Sequence, residues 1–143
     1  MYPFLFSLAS IAIFFWVMMI LLPTWKVTRF LAEIKIIPIY LGILYSIGII
    51  AAIWLYGIGF IGDFGSESGV IQLLANPDFA LLVWIHILCF DQWVGHYLYK
   101  DNMVHRYVPL PLQSVLLFLT LMFGPLGWLC YVGIRKWKNK KVE

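Results

Sequence analysis

Charged residues are scarce in this sequence, since Asp, Glu, Lys and Arg make up only 12% of its 143 residues. A soluble domain usually has about 25% charged residues. Hydrophobic residues account for 63% of the chain, which is more than a soluble core of this size can bury. The composition therefore predicts an integral membrane protein, with room for one domain over residues 1–143.

Cysteines are also few, and basic residues at the N-terminus and basic surface stripes are absent. The two cysteines, Cys89 and Cys130, lie in apolar runs without a Cys-x-x-Cys pair and are interpreted as small buried hydrophobes. Residues 1–3 contain no Lys or Arg, which predicts an uncleaved first helix rather than a signal peptide. The net charge of +3 comes from helix ends and the C-terminal tail, so nucleic acid is excluded as a partner.

Four apolar runs are long enough to cross a bilayer, which takes about 20 helical residues. A spanning segment must satisfy its backbone hydrogen bonds internally, so each run predicts a helix. The predicted fold is an all-α, integral membrane four-helix bundle with a short interfacial helix between helices 2 and 3, capped by Ser66 or Ser68. The predicted helices cover about residues 4–22, 36–61, 79–99 and 111–134, and a basic C-terminal tail covers 135–143.

Four crossings would place both ends of the chain on the same side of the membrane. Lys and Arg mark the cytoplasmic side of membrane proteins, but with four crossings they are equally numerous on the two sides. The basic tail over 135–143 favours cytoplasmic ends. Gly42 and Gly48 in predicted helix two are expected to serve ordinary packing rather than a dimerisation face.

Asp91 is the one charged residue near the middle of a predicted span. An aspartate at the centre of a membrane helix costs about 2.5–3.5 kcal/mol, so it is expected to face the bundle and to be functional. A structural clasp between helices is the alternative. His86 lies about 140° from Asp91 around the helix, and Gln92 and His96 share a third face. Gly95, beside Asp91, lets another backbone or a ligand come close.

The histidines allow two further kinds of site. His86, Asp91, His96 and His105 are sufficient ligands for a metal, but no two histidines are four residues apart, so no metal site is predicted. His86 is also a candidate axial ligand of a tetrapyrrole. A hydrogen-bonding or acid–base role shared with Asp91 is preferred to either.

Predicted helix four contains Gly124-Pro125, which follows Thr120 by one helical turn. Proline within a helix removes a backbone hydrogen bond and kinks the axis. The kink predicts either a structural bend or the wall of a ligand cleft. Aromatic residues form 18% of the chain, and deep rings such as that of Trp84 suit a polyene or a ring-containing lipid.

Two motifs in the second half of the chain carry a family resemblance. The first motif combines Trp84-x-His86, Phe90-Asp91 and Val94-Gly95, and the second is Leu-Thr-Leu-Met-Phe-Gly-Pro-Leu-Gly over residues 119–127. Together they resemble the abscisic-acid-deficient-four-like family, over about residues 66–135. In the family pattern Arg follows the glycine and an apolar residue follows the aspartate, whereas this chain has His96 and Gln92.

The resemblance implies a carotenoid-related membrane protein, since the plant members are neoxanthin-synthase-like and are associated with conversion of violaxanthin to neoxanthin. That isomerisation opens an epoxide and removes a neighbouring proton to form an allene. It needs an acid and a base. Burial disfavours the charged form of a carboxyl, so the candidate acid is Asp91 and the candidate base is His86. The substrate-binding candidates are Trp84, Gln92, Gly95, His96, Thr120, Gly124 and Pro125.

A non-catalytic subunit is the alternative function, because the candidate residues do not share one face of a helix. Such a subunit would bind a carotenoid or chlorophyll, or pack within a larger photosynthetic membrane complex. The expected partners are the lipid bilayer, a carotenoid or other polyene, and a membrane protein or second copy of the chain. No cofactor is predicted beyond a possible carotenoid ligand. The expected location is a bacterial inner or photosynthetic membrane. A transporter is disfavoured, since no broken helices occur in symmetric positions.

Overall fold

The computed structural model describes residues 1–139, and within them every regular element is a helix. Residues 140–143, the end of the predicted basic tail, lie outside the described residues. A 3₁₀ segment, Gly59–Gly65, lies between the fourth and fifth α-helices. The α-helices are α1 (Tyr2–Ser10), α2 (Ala12–Leu21), α3 (Lys26–Ile34), α4 (Ile36–Tyr56), α5 (Glu67–Ala75), α6 (Pro77–His105), α7 (Leu110–Phe123) and α8 (Pro125–Asn139).

Three helical stretches in the described residues are long and apolar enough to cross a membrane. They are α1 with α2, then α4, then α6, and they contain 20, 21 and 29 residues. At 1.5 Å per residue each reaches about 30 Å or more, which is the thickness of the hydrocarbon core. The predicted fourth span instead consists of α7 and α8, with 14 and 15 residues. Neither reaches more than about 23 Å, which is less than the thickness of the hydrocarbon core.

The helix boundaries differ from the predicted ones wherever a polar segment stays helical. The predicted connection after the first span contains α3, an amphipathic helix that buries Thr28 and Ala32. Helix α6 extends to His105, so the polar residues that follow Tyr99 belong to the helix and not to a loop. Helix α4 ends earlier than predicted, at Tyr56, because the next residue, Gly57, has a φ of +72°, which favours glycine. The predicted cap of α5 is found, since Ser66 Oγ accepts a hydrogen bond from the Gly69 amide at 3.1 Å.

The contacts divide the chain into two compact units, and the first comprises residues 1–11 and 39–89. In this unit α1 and α4 run antiparallel. The Tyr2 hydroxyl donates to the Gly48 carbonyl at 3.2 Å, and the Tyr40 hydroxyl donates to the Leu8 carbonyl at 3.0 Å. Gly48 also meets Leu82 of α6, since a Cβ on this glycine would lie 2.6 Å from Leu82 Cδ1. Gly48 therefore serves contacts within the chain.

The second unit comprises residues 12–38 and those from 90 onward. Its buried core includes Trp16 and Met19 from α2, Tyr99 from α6 and Tyr131 from α8. The end of α2 is held by two hydrogen bonds: the Ser114 hydroxyl donates to the Ile20 carbonyl at 2.6 Å, and the Tyr99 hydroxyl donates to the Pro23 carbonyl at 2.5 Å. These bonds place the ends of α2 and α6 and the start of α7 together.

Helices α7 and α8 form an antiparallel hairpin, and both of its outer ends lie at the C-terminal end of α6. Near the start of α7, Gln113 Oε1 accepts a hydrogen bond from Asn102 at 2.6 Å. From the middle of α8, the Tyr131 hydroxyl donates to Asp101 at 2.6 Å, and one turn later Arg135 pairs with the same carboxylate at 3.3 Å. The chain therefore leaves the end of α6 and returns to it.

The turn of this hairpin lies beside the middle of α6. Gly124 packs against Asp91, the central residue of α6, and Gly127 packs against the backbone of Leu116 and Thr120 in α7. Ten residues of α6 separate Asp91 from Asp101, which is about 15 Å, or half of a hydrocarbon core of about 30 Å. The Gly124 break was predicted as a kink within a crossing helix, but the chain reverses there because Gly127 lets α8 pack closely on α7.

Asn102→Leu is expected to destabilise the protein by about 2–4 kcal/mol, because Asn102 joins α6 to α7. Its side chain is buried and bonds to both backbone groups of Val108 and to Gln113. The substitution leaves these groups unsatisfied. Unfolding by SDS in mixed micelles measures the loss, and Asn102→Leu with Gln113→Leu should recover part of it. Equal loss in the single and double variants would contradict the pairing.

Candidate functional site

The first candidate site is the hairpin tip, defined as Asp91, Gly124 and Pro125. A Cβ on Gly124 would lie 3.1 Å from Asp91 Cγ and closer to Oδ1, so only glycine leaves room for the carboxyl. Pro125 is the first residue of α8, where its missing N–H costs nothing. Within the described residues, the Asp91 carboxyl forms no hydrogen bond or ion pair. It lies beside the N-terminus of α8, whose partial positive charge attracts a carboxylate.

Two other predicted site residues of the second unit, Gly95 and Thr120, take part in packing within the chain. Gly95 is filled by the indole of Trp16, which a Cβ on Gly95 would overlap. The close approach predicted at Gly95 is thus made by a residue of the chain itself. The Thr120 hydroxyl donates to the Leu116 carbonyl at 2.8 Å and lies against Gly127. Gly95 and Thr120 therefore shape the packing of α2, α7 and α8.

The second candidate site is the aromatic cavity, which lies wholly within the first unit. Its volume is about 230 Å³. The Tyr45 ring from α4 and the His86 ring from α6 contact each other, with centroids 5.0 Å apart and planes tilted by 55°. All the other lining residues are apolar: Ile49, Phe60, Phe64, Leu73, Phe79, Leu82 and Val83.

The walls of the aromatic cavity are held by ring contacts and by the segment between α4 and α6. Phe79 packs against Phe60 at 5.0 Å and against Tyr56 at 5.1 Å between ring centroids. The Tyr56 hydroxyl donates to Asp78 at 2.7 Å, which fixes the start of α6. The 3₁₀ segment and α5 supply Phe60, Phe64 and Leu73, so the interfacial helix predicted from the sequence forms part of a cavity wall.

Gln92 and His96 lie one helical turn apart in α6 and are buried, with 0% and 3% of their surfaces exposed. Within the described chain, neither the Gln92 amide nor either ring nitrogen of His96 has a hydrogen-bond partner. Buried polar groups nearly always have one, and lipid supplies none. These atoms are the polar groups of α6 that most need water or a polar ligand group.

Comparison with known proteins assigns the chain to a family. Residues 4–131 match the family described as ABA DEFICIENT 4-like, which is most of the sequence. The chain belongs to the ABA DEFICIENT 4-like family. No curated protein and no solved structure matches it. Family membership confirms the resemblance seen in the two motifs and relates the chain to the carotenoid and abscisic acid pathway.

In this ABA DEFICIENT 4-like protein, the two predicted catalytic residues belong to different units. His86 lies in the first unit with Tyr45, and Asp91 lies in the second with Gly124. Trp84 is 49% exposed and does not line the aromatic cavity. Across residues 1–139, no three His, Cys, Asp or Glu side chains converge on a point where a metal could bind.

Sequence reasoning missed Tyr45, whose ring contacts the His86 ring. The two residues are 41 positions apart and belong to no common motif. A weak signal exists, since Tyr45 is a tyrosine in the middle of an apolar span, and a buried tyrosine hydroxyl usually has a polar partner. Its partner depends on how α4 packs on α6, and one sequence does not reveal that.

Proposed function

We propose that this protein binds a ring-bearing polyene of the carotenoid class in the aromatic cavity and isomerises it by acid–base chemistry. One observation carries the proposal: every residue that lines the cavity is apolar except Tyr45 and His86, which are its two polar groups. Apolar pockets with a few placed polar groups are typical of small-molecule sites. Membership of the ABA DEFICIENT 4-like family and three apolar spans support a carotenoid-related role in a membrane. We place it in a bacterial inner or photosynthetic membrane.

In the proposed reaction, an epoxide on the ring of the substrate opens as a neighbouring C–H bond breaks. The Tyr45 hydroxyl donates a proton to the epoxide oxygen while the C–O bond breaks. His86 accepts the proton that leaves the polyene carbon, and a new C=C bond of the allene forms. The product has the same atoms as the substrate, so neither an oxidant nor a reductant is needed.

The contact between Tyr45 and His86 supports this pairing of acid and base. An isomerisation consumes no net proton, so the base must return its proton to the acid before the next turnover. The two ring centroids are 5.0 Å apart, so one water molecule can carry this proton between the side chains. Asp91, the acid predicted from the sequence, is the competing assignment for the proton donor.

The test is conversion of a xanthophyll epoxide by the purified protein in detergent, followed by pigment chromatography. Tyr45→Phe and His86→Gln are each expected to lower turnover by about 100-fold or more, with the bound pigment retained. Tyr40→Phe is the matched control. It removes a hydroxyl from the same helix, but Tyr40 bonds to the Leu8 carbonyl and does not line the cavity.

Asp91→Asn distinguishes the two candidate acids. Loss of turnover in Asp91→Asn with full turnover in Tyr45→Phe would assign the acid to Asp91. An unchanged pigment profile on expression in several carotenoid-producing hosts would contradict the isomerase.

Pigment binding without catalysis is the second candidate function. It is favoured by the same cavity, because two polar side chains can hold a ring oxygen without reacting with it. Stable co-purification of one carotenoid or chlorophyll per chain, with no product after prolonged incubation, would support this function. In that case Tyr45→Phe and His86→Gln would weaken pigment retention rather than turnover. Such a subunit would have a membrane-protein partner or a second copy of the chain.

A further inference from the structure

A groove of about 330 Å³ lies between α3 and the C-terminal end of α6, apart from both candidate sites. Its charged residues are Arg29, Glu33, Lys100 and Arg106. The rest of its lining is Ala32, Tyr99, Met103 and Val104. Cationic side chains thus surround a largely apolar floor.

The charges of this groove are not balanced. Glu33 pairs with Lys100 at 3.0 Å, which leaves Arg29 and Arg106 in excess. Neither guanidinium forms a hydrogen bond or ion pair with any residue of the described chain. The Tyr99 hydroxyl lies near both arginines, but it donates its hydrogen bond to the Pro23 carbonyl. Arg29 and Arg106 therefore both face the groove, and the one acidic residue there, Glu33, is paired with Lys100.

The groove also lies where two spans meet the membrane surface. Helix α3 connects the first and second spans, and its buried Thr28 and Ala32 oppose the charged Lys26, as in helices that lie in the interface. Arg106 directly follows α6 and has a φ of +56°, a left-handed conformation that is unfavourable for a residue other than glycine. That conformation turns the chain at the rim of the groove.

We propose that this groove binds the phosphodiester of an anionic phospholipid. Arg29 and Arg106 would grip the phosphate oxygens, because the planar guanidinium matches phosphate geometry and binds it through two hydrogen bonds. The glycerol and first acyl carbons would lie over Met103 and the 73% exposed Val104. A soluble phosphate would use the arginines alone, whereas a lipid also uses the apolar floor, and basic pockets between membrane helices bind such headgroups.

The experiment measures the melting temperature of the full chain in detergent with added phosphatidylglycerol, phosphatidylcholine or inorganic phosphate. Phosphatidylglycerol alone is expected to raise it. In the variant Arg29→Gln with Arg106→Gln, the apparent affinity for phosphatidylglycerol should fall about 30-fold, since each basic residue near an anionic surface contributes roughly a fivefold effect.

The matched control is Lys136→Gln with Lys138→Gln, which removes two cations from α8 outside the groove and should leave the shift unchanged. An equal shift in the arginine variant would overturn the proposal, as would an equal shift with phosphatidylcholine. A shift produced by inorganic phosphate at the same concentration would assign the groove to a soluble anion and overturn the lipid. If the arginine variant does not fold, native mass spectrometry of the unaltered chain decides by the retained lipid class.

Discussion

Gly127→Ala is expected to separate α8 from α7. A Cβ at this position would lie 2.8 Å from the Leu116 carbonyl oxygen and closer still to the Thr120 amide nitrogen. Both are backbone atoms of a helix, so they cannot rotate away as a side chain could. Overpacking usually costs about 1–3 kcal/mol. Separation would also strain the hydrogen bond from Tyr131 to Asp101, so we expect a loss of about 3 kcal/mol or more.

Gly133→Ala is the matched control for this substitution. Gly133 lies in the same helix, and a Cβ there would meet nothing within 4 Å. Alanine should therefore stabilise α8 by up to about 1 kcal/mol through its helix propensity. Unfolding by SDS in mixed micelles, followed by tryptophan fluorescence, compares the two variants. Similar curves for Gly127→Ala and Gly133→Ala would show that α7 and α8 do not pack at Gly127.

The hairpin shows where reasoning from apolar length stops. Residues 111–134 form an apolar run long enough for one crossing helix, and a Gly-Pro pair in such a run is compatible with a kink or with a reversal. The choice depends on long-range contacts, such as those of Tyr131 and Arg135 with Asp101. These pairs are 30 and 34 residues apart in the sequence. No local pattern encodes them.

The three spans were predictable because they depend on local composition, whereas their ends were not. Counting apolar residues ends the third span at Tyr99, but the α6 helix continues through Asp101 and Asn102, whose side chains bond to other elements. Helix α3 was missed for the same reason. Its charges resembled a connecting loop, although Thr28 and Ala32 fall on one buried face.

The sequence singles out candidate polar residues but does not give their arrangement. Intramembrane cost singles out Asp91, and the structure places it at the hairpin tip beside Gly124, which the sequence analysis had also selected. His86 was selected too, but its neighbour Tyr45 comes from another span. A single sequence gives the cost of each polar residue in the membrane. It does not give the partner, because the partner depends on the packing of separate helices.

The described chain is expected to end on the cytoplasmic side of the membrane, opposite its first residue. Three crossings would place residue 1 and the end of α6 on opposite sides, and the hairpin would return residue 139 to the side of the α6 end. All basic residues of the described chain then fall on that one side: Lys26, Arg29, Lys35, Lys100, Arg106, Arg135, Lys136 and Lys138. The tie obtained with four crossings disappears.

This distribution obeys the positive-inside rule and predicts that the basic side is cytoplasmic. The charged side chains of the described chain on the opposite side are all acidic: Asp63, Glu67 and Asp78. The measurement uses single-cysteine variants in a background with Cys89→Ser and Cys130→Ser, treated in intact cells with a maleimide that cannot cross membranes.

Ser68→Cys should be labelled in intact bacterial cells, and Lys138→Cys should be labelled only after lysis. Lys26→Cys is the control, because it lies between the first two spans and must behave like Lys138→Cys if the hairpin returns. Equal labelling of Ser68→Cys and Lys138→Cys would mean that the chain crosses a fourth time. In that case Gly124 could not be a turn, and Asp91 would face a continuous helix instead of the hairpin tip.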